Sequence, residues 1–159
     1  MKVTHMTKPL ARLSSRQRAW LFLGGGIGVF VGSFAAWIKA TAVFVGTISI
    51  SGIEGDGKIT ALTGAVIVAG GWLVLKGQPK RWLSVLGVFA GLIALATTVY
   101  DLYHAYTVDV TGKFGDKVQK LGTVSPGWGL YLTFAAAVVA LTGALLALRQ
   151  EQDVAMEAF

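Results

Sequence analysis

The chain has 159 residues, about one modest domain, of which 54% are hydrophobic and only 14% charged. Mean hydropathy is +0.65, whereas a soluble domain is roughly a quarter charged, so this chain cannot clothe a water-facing surface. The net charge is +6 and there are no cysteines, which excludes disulfides, thiolate metal sites and cysteine nucleophiles.

Residues 1–18 form a basic segment carrying Lys2, Lys8, Arg12, Arg16 and Arg18. Four apolar segments with charge-free interiors follow, at about 19–38, 59–75, 82–100 and 127–148. Each approaches the roughly 20 residues that an α-helix needs to cross a hydrocarbon core of about 30 Å. Backbone groups in hydrocarbon must be satisfied internally, so four such spans predict an all-α four-helix transmembrane bundle. The domain plan is therefore a basic N-terminal segment at 1–18, a transmembrane domain at 19–148 and a tail at 149–159. The sequence Ala40-Thr41-Ala42 has the form of a signal-peptidase site. The apolar run before it is nearly twice the usual length of a signal core, which favours an uncleaved span.

The first span contains "GGGIGVFVG" at 24–32. A dinucleotide fingerprint would need a preceding strand, aqueous phosphate and a downstream acid, and none fits a run at membrane depth. Gly24, Gly28 and Gly32 recur every four residues, and Gly87 and Gly91 repeat the spacing on the third span. Small residues on one face let helix backbones approach closely. Such a stripe either holds the bundle together internally or receives a partner helix, another subunit or a second copy.

Beyond the first span, "TISIS" (47–51) and "TVDVT" (107–111) alternate polar and β-branched residues, the pattern of a half-buried strand. They predict a small β-ribbon of the two outer loops that buries Ile48, Ile50, Val108 and Val110. Displacing the chain by 72 residues aligns 55–78 with 127–150 at seven of 24 positions, Gly71 with Gly143 among them. Two tandem helical hairpins running in parallel are the expected arrangement.

Basic residues divide unevenly. Lys2, Lys8, Arg12, Arg16, Arg18, Lys76, Lys80, Arg81 and Arg149 fall on one side, and Lys39, Lys58, Lys113, Lys117 and Lys120 on the other. The positive-inside rule puts both termini of this multi-pass membrane protein in the cytoplasm. Trp20, Trp72 and Trp82 then mark the inner interface, with Trp37 and Trp128 at the outer one. The charge thus serves orientation in a lipid bilayer, with no nucleic-acid partner expected.

The string "SISGIEGDGKITALTGAVIVAGGW", with "YDLYHA" and "VSPGWGLYL" after it, resembles a group of small four-span membrane proteins of actinobacteria and other Gram-positive bacteria. The shared marks are a GxDGDG-like turn before span two and a GxGLYL-like entry to span four. The chain departs from them at Glu54 and Pro126. The resemblance implies the four-span architecture in a bacterial cytoplasmic membrane and no particular activity.

Candidate chemistry gathers at the outer end. Glu54 and Asp56 lie in a glycine turn that lacks the later ligands of an EF-hand. Asp101 and His104 stand three apart on one helix face and could share a proton or offer two metal ligands, short of a complete shell. The middle third of every span is free of ionisable groups, the usual mark of a coupled carrier. The expectation is a non-enzymatic accessory or scaffold protein with no cofactor and no metal. The alternative is a small channel, carrier or ligand sensor with a site at the outer mouth.

Overall fold

A capping box starts the first helix: Ser14 N–H donates to Gln17 Oε1 at 2.8 Å, and Gln17 N–H to Ser14 Oγ at 3.2 Å. The fold is a computed structural model describing residues 13–42, 46–78, 81–107, 109–114 and 117–157. Helix α1 (Ser15–Gly32) leads into strands β1 (Ala36–Ala42) and β2 (Gly46–Ser51), a 3-10 turn (Gly52–Glu54) and helix α2 (Gly57–Leu75). Helix α3 (Arg81–Thr107), strands β3 (Asp109–Phe114) and β4 (Lys117–Pro126) and helix α4 (Trp128–Glu157) repeat that order. The helices run up and down in turn, with all four strands at one end of the bundle.

Helix α2 ends in a Schellman motif. Gly77 takes φ +75, Gln78 N–H donates to the Leu73 carbonyl and Gly77 N–H to that of Val74, both at 3.1 Å. Three helices, α2, α3 and the 128–149 part of α4, are long and apolar enough to cross a membrane. Helix α1 falls outside that group because its apolar part stops early. At 1.5 Å per residue, residues 19–32 extend only about 21 Å.

That early stop corrects the first expected span, 19–38. Phe34 and Ala35 close i→i+3 bonds onto Val31 and Gly32, and the chain turns into β1. The cause is local. Ser33 Oγ donates back to the Val29 carbonyl at 2.8 Å, and Trp37 Nε1 takes the Gly32 carbonyl at 2.9 Å. A side chain thus satisfies an orphan carbonyl at the helix end. Trp37 is only 3% exposed, so it belongs to the core and not to an interfacial belt. Trp20, Trp72, Trp82 and Trp128 are about half exposed, as lipid-facing rings would be.

Helix α1 packs against α2 on one side and α4 on the other, and α3 closes the ring against the same two helices. Glycine makes these approaches close. A Cβ on Gly26 would meet Val68 N at 2.8 Å, and one on Gly64 or Gly71 would meet backbone N of Phe30 or Leu23 at 2.7 Å. Gly71 and Gly143, equivalent in the 72-residue repeat, grip consecutive residues of α1, Leu23 and Phe22. Phe22, Val29 and Ile67 are completely buried, among Ala94, Ala137, Ala140 and Ala144.

The expected glycine stripe divides. Gly28 faces Ala136, Gly32 faces Thr133 and Gly87 faces the Phe22 ring, whereas Gly91 sits at ordinary distance, 3.4 Å, from Leu141. Gly24 has nothing within 4 Å. Steps of four residues precess by about 40° each on a 3.6-residue helix, so Gly24 turns away from the face that holds Gly32.

The sheet also differs from the expected ribbon. Its order is β2-β1-β4-β3, antiparallel throughout. The two alternating segments are strands, but they occupy opposite edges and do not pair with each other. The residues taken as the end of the first span supply β1, which separates them together with β4. Thr107 closes α3, so the second strand starts at Asp109. Ile48 and Ile50 are 54% and 37% exposed, not buried; Val108 and the Val110 side chain lie outside the described residues. Each hairpin enters the sheet in the same sense, second strand then first, so the order repeats by translation.

Two outcomes check this packing. Gly28→Leu meets Ala136 Cβ, 2.7 Å from the site of a glycine Cβ, and should destabilise the protein by roughly 1–3 kcal/mol. Gly24→Leu should melt in detergent like the wild type. Cysteines replacing Lys39 and Ser125, which pair directly, should cross-link under mild oxidation. Cysteines at 49 and 109 should not, because three strand spacings, about 14 Å, exceed disulfide reach.

Candidate functional site

The sheet end of the bundle holds both the polar groups and the free surface. Asp56 occupies the N-cap position of α2 but makes no side-chain cap bond. Its carboxyl lies beside Asp101 on α3, and His104 is the other titratable side chain next to Asp101. Asp101 Oδ2 is buried with no hydrogen-bond partner. The His104 ring stacks on Tyr100 at 5.9 Å between centroids and 11° between planes, which leaves the imidazole at the surface. Asp101 thus has both His104, as its spacing implied, and Asp56 beside it, while Glu54 stays exposed on the 3-10 turn. Among the described residues no group of three His, Asp or Glu side chains could hold a metal ion.

Below this cluster lies a layer of hydroxyls that sequence reading passed over. Ser33, Thr60, Thr98 and Thr133 are completely buried there, as is Ser84 near the other end of α3. Ser33 Oγ and Thr60 Oγ1 are 2.8 Å apart and tie α1 to α2. Thr98 and Thr133 donate to the carbonyls of Ala94 and Gly129, four residues earlier. The hydroxyls of Ser33, Thr60, Thr98 and Thr133 are each matched within their own helix or across one contact, as burial requires. A serine or threonine every few turns is common in apolar helices, so only the packing singles these out.

The other feature is the sheet surface. The register puts Ile38, Ala40, Ile48, Ile50, Val124 and Pro126 on one face, and none of them is buried. Thr41, Thr47, Lys39 and Ser49 lie on the opposite face, where Thr41 and Thr47 share a 3.0 Å hydroxyl bond. The two edges are unlike. β3 carries Asp109 and Lys113 and a register shift between Val110 and Thr111, both devices that discourage strand addition. β2, with the sequence GTISIS, has no charge and is exposed from Gly46 through Ile50. Alternation in 36–42, with Ile38, Ala40 and Ala42 on one side, was the available signal for β1, hidden because it continues an apolar run.

No protein-family model matches the chain, and no curated protein matches it. The site is therefore read from its own geometry.

Asp101→Asn removes a half-buried carboxylate that lies beside the like charge of Asp56 with its Oδ2 unpaired. It should raise stability at neutral pH by on the order of 1 kcal/mol, discounted because Asp101 is only half-buried. A thermal melt of the two proteins in the same detergent checks the sign. Loss of stability would mean that the carboxylate is held by a counter-ion.

Proposed function

We propose that the chain is a non-enzymatic accessory or scaffold protein of the bacterial cytoplasmic membrane. Its four helices all cross the bilayer, both termini are cytoplasmic, and the sheet is presented on the outer face. It works as a subunit of a larger membrane complex or by self-association, through contacts made by the sheet and the helix flanks. The resemblance to small four-span membrane proteins of actinobacteria fits this architecture.

The observation that carries the reading is the edge of β2. An uncharged strand whose residues are exposed on both faces offers unpaired backbone groups beside two exposed isoleucines. Such edges accept an added strand readily. Orientation is supported by Arg16, Arg18, Lys76, Arg81 and Arg149, which all lie at the end of the bundle away from the sheet. Helix α1 is short for a span, but α2 and α4 clasp it along both sides, and Trp37 seals its end. A catalytic reading lacks support, since the described residues of the sheet end bring no nucleophile to a base.

A second reading, a small channel, carrier or ligand sensor, is favoured by one feature, the unpartnered Asp101 Oδ2 beside Asp56 and His104. Asp101→Asn would abolish function in that case and leave a scaffold intact.

Two measurements test the proposal. Single cysteines at Lys58 and Lys117 should react with an impermeant thiol reagent on intact cells, while one at Lys80 should not. A photo-cross-linker at Ser49 should capture a partner or a second copy in native membranes, and one at Lys113 on the opposite edge should capture less. Equal capture from both edges, or none from either, would remove the role assigned to β2.

A further inference from the structure

The free edge of β2 looks over the two helices that carry the acidic groups. β1 rises from α1 and β2 returns to α2. The paired side of β2 therefore faces α1, and its open side faces α3, the other helix packed on α2. At the foot of that open side lie Glu54 and Asp56, three and five residues beyond Ser51 at the end of β2. Asp101 of α3 lies beside Asp56. Asp101 Oδ2 is buried without a partner, and Asp56 makes no cap bond. Lys58, the nearest cation along the chain, is exposed on α2 and does not supply that partner.

The register fixes which backbone groups the edge presents. Pro126 has no N–H, and Gly127 N–H donates to the Trp37 carbonyl, so Ile38 and Pro126 face each other without exchanging bonds. Exchange alternates along an antiparallel pair, which makes Lys39 and Ser125 a bonded pair and aims the Lys39 backbone at β4. Ser49, opposite Lys39 on the other side, therefore turns its N–H and C=O outward, as does Thr47 two residues before. The edge offers a donor and an acceptor at two points about 6.8 Å apart, the repeat of an extended chain.

We infer that β2 receives an extended segment of a partner protein, uncharged along the strand and carrying a lysine or arginine at the end nearest the helices. The inference rests on the role given to β2 above and adds the chemistry of what binds there. Backbone pairing at Thr47 and Ser49 selects an extended chain, and the exposed Ile48 and Ile50 select apolar side chains at alternate positions. Charge selects the cation, because GTISIS has none of its own while the carboxylates of Glu54, Asp56 and Asp101 gather at its foot. A cation there gives Asp101 Oδ2 the donor it lacks, and a charge-assisted bond is about twice as strong as a neutral one. The β2 strand of a second copy brings no such cation. Antiparallel addition, as in the rest of the sheet, puts the cation first in the segment, since β2 runs toward the helices.

The test titrates the full chain in detergent with three capped hexapeptides, followed by calorimetry. Each alternates threonine and valine after a first residue that is lysine, glutamine or glutamate. Wild type should bind the lysine peptide about tenfold more tightly than the glutamine one, the effect of one charge-assisted contact, with the glutamate peptide weakest. Asp101→Asn should remove most of the lysine preference and leave strand addition itself in place. Ser49→Pro deletes an outward N–H without touching the bonds to β1, and should abolish binding of all three. N-methylation of the peptides at alternate residues should do the same with the protein unaltered. Equal binding of the lysine and glutamine peptides, or a preference that survives Asp101→Asn, would overturn the inference while leaving β2 as a contact edge. Binding that survives both Ser49→Pro and N-methylation would place the peptide elsewhere and defeat the reading of β2 itself. Binding of none of the three would overturn the inference as well.

Discussion

The close approach of α1 to its two neighbours is the constraint on which the rest of the structure depends. Lipid tails are as apolar as leucine, so apolar helices in a bilayer gain little by hiding apolar surface from one another. They associate through dispersion contacts that lipid cannot equal, and those require backbones nearly in touch. Here glycines on both partners permit it: Gly25 against Ala140, Gly26 against Ile67 and Val68, Gly64 against Phe30, and Gly143 against Phe22. Phe22 then does for α3 what glycine does for the others. Its ring fills the space beside Gly70 and Gly87, so the fourth wall of the bundle closes on one large side chain.

Trp37 carries this packing into the sheet. Its indole N–H ends α1 at Gly32, and its carbonyl accepts from Gly127 N–H at 2.6 Å, where the chain leaves β4 for α4. Gly52 presses against its ring, where a Cβ would collide. One residue therefore joins the end of α1, the approach to α2 and the start of α4. The sheet inherits its position from that junction, since β1 is its second strand and pairs with both β2 and β4.

The molecule has two ends with different chemistry. The sheet end combines an unguarded edge strand, a half-exposed apolar face and the Asp56, Asp101 and His104 cluster. The other end gathers the cations Arg16, Arg18, Lys76, Arg81 and Arg149. The helical bundle between them keeps the exposed strand edge and the basic end about one helix length apart. Alanines and glycines bring the helices together with their hydroxyls matched, and the chemistry is left to the ends.

Helix count, order and alternation were legible in the sequence, because long charge-free segments broken by "KGQPKR" and by glycine turns have few other solutions. The polar placement was legible too: Asp101 and His104 share a helix face by spacing alone, and "TISIS" and "TVDVT" alternate as strands do. Strand partners and the end of α1 were decided only by tertiary structure. Residues 33–42 are apolar enough to continue a helix and alternate enough to start a strand, so periodicity alone could not choose. The choice was made by Trp37 and Ser33, whose partners, Gly32 within the turn and Thr60 on another helix, exist only once α1 and α2 are packed. Asp56 beside Asp101 was likewise beyond the sequence, since 45 residues and a whole hairpin of helices separate two groups that meet in the fold. Local pattern reports what a segment buries; which segment it buries against depends on contacts that form only when the chain has closed.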